Sequence, residues 1–218
     1  MRKSELQTRR GQFITFEGID GCGKTTQLRN LARSLRDHGR EVDETVEPGG
    51  TAIGQQIRKI LLDPENTAIR PRTELLLYFA SRAQNVDEVI RPALEAGRIV
   101  LCDRFTDSTL VYQGCGRGLD RDVVLDLDRI ACRGLRPDIT VLIDIDLETS
   151  LARAKRRNER VGQSESRIDE ESAAFHERVR RGYLALAQSE PDRFIVVDGR
   201  GAIGEVGLAI REALRDRV

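Results

Sequence analysis

The sequence has no surplus of charge of either sign: 36 Lys and Arg stand against 36 Asp and Glu, a formal net charge of zero over 218 residues. A polybasic nucleic-acid binder needs excess cations to displace the counterions of the phosphate backbone, so that class is set aside and no nucleic-acid polymer is expected as partner. The four cysteines (Cys22, Cys102, Cys115, Cys132) form no CxxC pair, and His38 and His176 are close to none of them. That argues against a zinc site and for reduced thiols in the cytoplasm. No apolar run approaches the roughly 18 residues of a membrane span; the longest is Leu75 to Ala80. Met1 to Arg10 is polar and basic with no apolar stretch behind it, which reads as a tail and not a secretion signal. Tryptophan is missing and aromatics are 4%, yet 39% hydrophobic and 33% charged residues fit a soluble globular protein. A chain of this length buries roughly 70% of its unfolded surface, so its core needs neither disulfide nor metal. No repeat, linker or low-complexity tract divides residues 11–218, which are expected to form a single domain.

What is present is an alternation of short apolar runs and long helical stretches. Phe13 to Phe16, Val42 to Val46, Ile99 to Cys102, Ile139 to Ile145 and Phe194 to Val197 read as strands. Helices are expected over Lys24 to His38, Ile53 to Leu62, Arg121 to Arg133, Leu147 to Arg157, Glu170 to Gln188 and Ile203 to Arg217. A further helical region, Thr73 to Gly97, is expected to break at Pro92. Continuous apolar strands separated by helices imply an α/β fold, a parallel sheet covered on both faces. The polar stretch from Lys155 to Glu171 reads as a mobile surface segment, and a lid is expected over about residues 153–169.

Between the first strand and the first long helix stands Gly18-Ile19-Asp20-Gly21-Cys22-Gly23-Lys24-Thr25, a full match to the GxxxxGK[ST] phosphate loop. Its glycines let successive backbone N–H groups turn inward around phosphate oxygens at a helix N-terminus, where the dipole favours anions. Lys24 would reach the β- and γ-phosphates of ATP, and Thr25 would ligate Mg²⁺. No Asn is followed by Lys, so the guanine-reading motif of a GTPase is absent. The strand Ile99 to Cys102 ends in Asp103-Arg104 rather than the Asp-Glu pair usual in motor ATPases. Asp103 can hold Mg²⁺ through water. Arg104 offers a guanidinium fork, which suits a second phosphate. Phosphoryl transfer also needs cations around the moving group, and the loop's variable positions supply none. Arg153, Arg156, Arg157, Arg160 and Arg167 could supply them; Arg153 and Arg157, four apart, share a helix face.

Several stretches together resemble the thymidylate kinase family of nucleoside monophosphate kinases. They are Phe16 to Thr26, Glu47-Pro48-Gly49-Gly50-Thr51, Tyr78 to Arg82, Asp103-Arg104-Phe105 through Ser108-Thr109 to Tyr112-Gln113-Gly114, Arg136-Pro137-Asp138 and Arg167-Ile168-Asp169. The resemblance implies transfer of the γ-phosphate of ATP to dTMP, with Mg²⁺ as cofactor, and a homodimer. It implies a donor cradle of Gly18, Ile19, Asp20, Gly21, Cys22, Gly23, Lys24, Thr25 and Thr26, with Thr25 and Asp103 at the metal. Tyr78 matches the ring that stacks on thymine and Arg82 the donor to its O4. Arg104 matches the residue on the acceptor phosphate, Thr109 one at the pyrimidine edge, and Tyr112 the ring beneath the sugar that excludes a 2′-hydroxyl. Ser108 and Gln113 fall in the same acceptor run, Asp20 matches the carboxylate facing the 3′-hydroxyl, and Arg153 and Arg157 match lid arginines. Lys24, Arg104, Arg153 and Arg157 are therefore the expected catalytic set. Two positions depart from the family pattern: Val46 stands where Arg is frequent before Glu47, and Phe105 where Tyr or His is common. The rival readings are a deoxynucleoside kinase acting on a neutral sugar, and a nucleotide-binding regulatory module without turnover.

Overall fold

The five expected strands form one parallel sheet in the computed structural model, which describes residues 10–161, 168 and 171–218. The side chains of residue 155 and residues 157–161 also lie outside the described set. In chain order the strands are β1 (Phe13–Glu17), β2 (Val42–Val46), β3 (Ile99–Asp103), β4 (Ile139–Asp144) and β5 (Phe194–Asp198). They lie side by side as β2-β3-β1-β4-β5, with Phe16 opposite Asp103 and Glu17 opposite Leu142. From β1 the chain runs to the edge strand β2, returns to place β3 between the two, and then crosses to the other side of β1 for β4 and β5. In such a sheet ligands bind in the crevice at the carboxyl ends of the strands, where that reversal occurs. Here those ends carry Glu17, Val46, Asp103, Asp144 and Asp198.

Alternation along the strands feeds two apolar layers. Ile14, Phe16, Ile99 and Leu101 pack on one face with Leu28, Leu31, Val179 and Ile210, whereas Phe13, Val100 and Cys102 pack on the other with Leu75, Phe79, Ile90 and Val124. Nine helices among the described residues cover the sheet: α1 (Lys24–Asp37), α2 (Ala52–Leu62), α3 (Pro71–Asn85), α4 (Arg91–Glu95), α5 (Thr106–Thr109), α6 (Arg121–Cys132), α7 (Leu147–Val161), α8 (Ala173–Ser189) and α9 (Ile203–Leu214).

The departures from expectation have local causes. The break expected at Pro92 is taken up before it, where Val86–Ile90 widens into a π-helical turn between α3 and α4. A proline ring collides with the carbonyl four residues back, and an inserted residue in the helical ladder relieves that contact. Helix α8 starts at Ala173 because Ser172 caps it, its Oγ accepting from the Phe175 N–H at 3.2 Å. Helix α7 runs on to Val161 rather than stopping at Arg157. The segment from Thr106 through Gly116, α5 followed by a π-helical stretch (Leu110–Gly116), was not expected as helix. Its buried faces carry Asp107, Ser108, Thr109 and Gln113, so the apolar period that marks an ordinary amphipathic helix is missing. Residues 1–9 of the expected tail and residues 162–167 and 169 of the expected lid, Arg167 and Asp169 included, lie outside the described residues, as does the side chain of Arg160. No described helix is long and apolar enough to cross a membrane.

Candidate active site

The loop from β1 into α1 needs glycine for two separate reasons. Gly18 sits at φ +140°, where a Cβ would lie 2.5 Å from the Ile143 carbonyl oxygen and 2.8 Å from Cys22 Sγ. Gly21, at φ +78°, backs onto the first turns of α7, and a Cβ there would meet Ser150 O at 2.5 Å. Both are left-handed conformations in tight surroundings, which only glycine fits. The α7 side is fastened further by Ser150, whose hydroxyl donates to the Asp20 carbonyl. Lys24 opens α1 and is buried; its Nζ donates to the Ile19 carbonyl at 3.4 Å and lies 3.6 Å from Asp20 Oδ1. One turn of sequence away from the loop centre, the Thr25 hydroxyl donates to Asp103 Oδ2 at the end of β3. That juxtaposes two hard oxygen donors, the chemistry Mg²⁺ prefers. Among the described residues no cluster of three or more His, Cys, Asp or Glu is arranged to hold a metal ion.

Arg104, immediately after β3, adopts φ +71°, a left-handed backbone rare for a side-chain-bearing residue. Its fork reaches the phosphate loop: Nη2 donates to Asp20 Oδ1 at 2.8 Å and to the Tyr112 hydroxyl at 3.2 Å. Nη1 donates to Ser108 Oγ at 3.1 Å and the Tyr183 hydroxyl at 3.2 Å. The guanidinium also lies over the Tyr112 ring, 4.9 Å from its centroid. Burial works against ionisation of Asp20, but Arg104 and Lys24 override it and hold the carboxyl well below the usual carboxylate range. Burial, reinforced by Asp107, pushes Glu17 the other way, to about 7.

A second group of side chains comes from α3 and the loop after β2. Ser81 Oγ accepts from the Gly49 N–H at 3.2 Å, and Asn85 donates to Glu47 Oε1 at 2.6 Å, so α3 holds the Glu47-Pro48-Gly49-Gly50 turn in place. Burial raises the Glu47 carboxyl to about 7 despite Arg82 nearby. Arg82 is 1% exposed between the rings of Phe79 and Phe105. Its Nη2 donates to the Phe105 carbonyl at 3.1 Å and Thr109 Oγ1 at 2.9 Å. Its Nε and Nη1 are buried without a hydrogen bond among the described residues, Nε lying 3.9 Å from Glu47 Oε2 as an ion pair. Tyr78, one helical turn earlier, is only partly buried, unlike its neighbours Leu75 and Phe79.

Asp20, Lys24, Thr25, Asp103, Arg104, Ser108 and Tyr112 are thus linked at the carboxyl ends of β1 and β3, and Arg82 is joined to Thr109 beside Phe105. Three other expected residues stand differently. Gln113 donates its amide to Glu74 at 2.9 Å, and Arg117 grips the same carboxylate. Arg153 packs beside Gly21, but its guanidinium donates to the carbonyls of Gly199 at 2.8 Å and Arg200 at 3.1 Å. It lines a cavity of about 370 Å³ with Gly21, Gly23, Thr26, Gln27 and Ile203. Arg157 is within α7, and its side chain is outside the described residues.

Three participants were missed by sequence reasoning. Arg58, on α2, donates to the Pro48 carbonyl at 2.7 Å and feels the charges of Asp103, Asp20 and Arg104. Glu17 and Tyr183 contact the Arg104 cluster from β1 and α8. The chain has only three tyrosines, Tyr78, Tyr112 and Tyr183, and two of them lie on Arg104. Their scarcity was the available signal.

A family model described as thymidylate kinase matches residues 16–210. The chain is 55% identical over 209 residues to a thymidylate kinase of Geobacter sulfurreducens, covering 95% of this chain and 98% of that protein. It is 56% identical to a thymidylate kinase of Geobacter sp. strain M21, covering 95% and 93%. Among solved structures, the thymidylate kinase of Ehrlichia chaffeensis matches with a TM-score of 0.76 at 33% identity, over 94% of this chain and 99% of that one.

Proposed function

The chain belongs to the thymidylate kinase family and phosphorylates dTMP with ATP as donor, and from that premise we propose how its residues divide the work. The observation that carries the assignment of parts is the meeting of Arg104 with the phosphate loop at Asp20, 2.8 Å apart. It joins an anion-binding fork to the donor cradle, as transfer between two phosphates requires.

On the donor side, loop amides from Gly18 to Thr26 and the Lys24 ammonium hold the ATP phosphates. Thr25 and Asp103 are the residues that would hold Mg²⁺, which when bound neutralises charge on those phosphates. Arg153 faces the donor nucleotide's other end, beside the Gly199 to Ile203 turn. Arg157 is the proposed cation on the transferring group. On the acceptor side, Arg104 takes the dTMP phosphate and Arg58 joins it, supplying the charge that Val46 does not. Asp20 accepts from the 3′-hydroxyl. Arg82 Nη1, buried without a hydrogen bond among the described residues, suits a base carbonyl, because a buried donor without an acceptor costs about 1–3 kcal/mol. Tyr78 offers its ring face one turn away, and Ser108, Thr109, Tyr112 and Gln113 close the remaining wall. Neither a deoxynucleoside kinase nor a non-catalytic module is favoured. The four free thiols support a cytoplasmic setting.

The test is turnover with a panel of pyrimidine acceptors. With Tyr112 beneath the sugar, deoxyuridine monophosphate should exceed uridine monophosphate in kcat/KM by about 10–100-fold, since an unaccommodated hydroxyl costs about 1–3 kcal/mol. Thymidine itself should give no product. Equal kcat/KM for the deoxy and ribo monophosphates would remove the role given to Tyr112.

We also propose a homodimer. Helix α3 and the two helices that pack against it, α2 and α6, expose Ile53 (49%), Ile60 (46%), Leu76 (50%), Val123 (49%) and Ile130 (74%). Apolar exposure concentrated on adjoining helices marks a protein contact. Sedimentation should give twice the 24.5 kDa chain mass, and Ile130→Arg should shift it to the monomer. A wild-type monomer at micromolar concentration would refute the assembly.

A further inference from the structure

Glu17 ends β1 with a carboxylate that is 0% exposed and that none of the roles above employs. A buried carboxylate is costly unless its oxygens are well supplied with donors. Here Oε1 accepts from the Phe105 N–H at 2.7 Å, while Oε2 accepts from the hydroxyls of Ser108 at 2.6 Å and Tyr183 at 2.8 Å. The two hydroxyls also lie 2.8 Å from each other, so with Glu17 they form one buried network. Arg104 Nη1 donates into that network, 3.1 Å from Ser108 Oγ and 3.2 Å from the Tyr183 hydroxyl, both of which accept from it. The three residues come from β1, α5 and α8, and Tyr183 is 1% exposed.

Arg104 has reason to need such support. Its φ of +71° costs energy that the surroundings must offset, and its long side chain has several rotamers to choose from. Nη1 is fixed on the side away from the phosphate loop, which turns Nη2 toward Asp20 and the proposed acceptor phosphate. Without acceptors on Nη1 the fork could rotate and still satisfy Asp20 through either nitrogen.

We infer that Glu17, Ser108 and Tyr183 form a buried brace that orients the Arg104 guanidinium, making Glu17 and Tyr183 positioning residues for acceptor binding. The inference rests on the assignment of Arg104 to the dTMP phosphate. It goes beyond that assignment by naming a residue of α8, more than seventy positions distant in sequence, as part of acceptor recognition.

The test is Tyr183→Phe alone and in an Arg104→Ala background. The substitution keeps the ring, which packs edge-on against Tyr112 at 6.4 Å between centroids, and deletes only the hydroxyl. In the otherwise native enzyme the KM for dTMP should rise by about tenfold, the size of one charged hydrogen bond. The KM for ATP should stay within about twofold, a split that a general loss of structure would not produce. In the Arg104→Ala background the same substitution should change the dTMP KM by less than about twofold, because the group it orients is gone. An unchanged dTMP KM for Tyr183→Phe, or an equal rise in both backgrounds, overturns the brace while leaving Arg104's role standing. An unchanged dTMP KM for Arg104→Ala by itself overturns that role, and the brace with it. If Tyr183→Phe does not fold, Ser108→Ala is carried through the same cycle and judged by the same two outcomes.

Discussion

Lys24→Ala is expected to lower kcat by about 10²–10³-fold, the loss typical of one preorganised charge aimed at the developing transition state. Lys24, the first residue of α1, is 7% exposed. In so dry a position its field is little screened, so its effect on a neighbouring phosphate greatly exceeds that of a surface lysine. The loop amides that would hold the ground-state phosphates belong to the backbone and survive the substitution. The KM for ATP should therefore rise far less than kcat falls. The fold should also persist, because Asp20 retains Arg104 at 2.8 Å once Lys24 is gone. A coupled assay of ADP release at saturating ATP and dTMP reads the effect. Turnover within twofold of the native enzyme would remove Lys24 from the chemistry.

The middle of the sheet was legible because β1, β3 and β4 are nearly continuous apolar runs buried on both faces. Edge strand β2, Val42-Asp43-Glu44-Thr45-Val46, instead carries polar residues and is marked only by its two valines and the Glu47-Pro48-Gly49-Gly50 turn that ends it. The phosphate loop was legible because its spacing is set by backbone geometry that few other sequences satisfy. What escaped was structure made by polar side chains. Thr106 to Gly116 turns its hydroxyls and amide inward to Glu17, Arg82 and Glu74, so no apolar stripe announces its helix. Tyr183 looks like an ordinary core residue of α8, since only the fold brings its hydroxyl beneath Arg104. Arg58 reads as one more charge on an amphipathic helix until the turn after β2 folds back onto it, placing Pro48 O within 2.7 Å. Arg153 and Arg157 could be paired on one helix face by spacing alone. That spacing could not show that Arg153 spends its donors on Gly199 and Arg200.

Arg104 should give the mirror image of Lys24. Arg104→Ala is expected to raise the dTMP KM and to lower kcat/KM for dTMP by about 10²-fold or more, while the ATP KM stays near its native value. The fork would make paired charged hydrogen bonds to the acceptor phosphate, each worth about 1.5–3 kcal/mol, so even a partial loss reaches that size. Arg104→Lys keeps the charge without the fork and should recover only part of the loss. The backbone supplies an independent check. At φ +71° alanine is as strained as arginine, whereas glycine takes that conformation freely. Arg104→Gly should therefore melt higher than Arg104→Ala, by the equivalent of about 1 kcal/mol, yet be equally impaired toward dTMP. Kinetics with dTMP and ATP varied in turn, together with thermal denaturation of the two variants, separate the side chain's task from the strain beneath it. Equal loss of apparent affinity for both substrates would show that Arg104 organises the whole crevice instead of the acceptor phosphate. A glycine variant no more stable than the alanine one would show that the left-handed turn after β3 carries no strain for glycine to release.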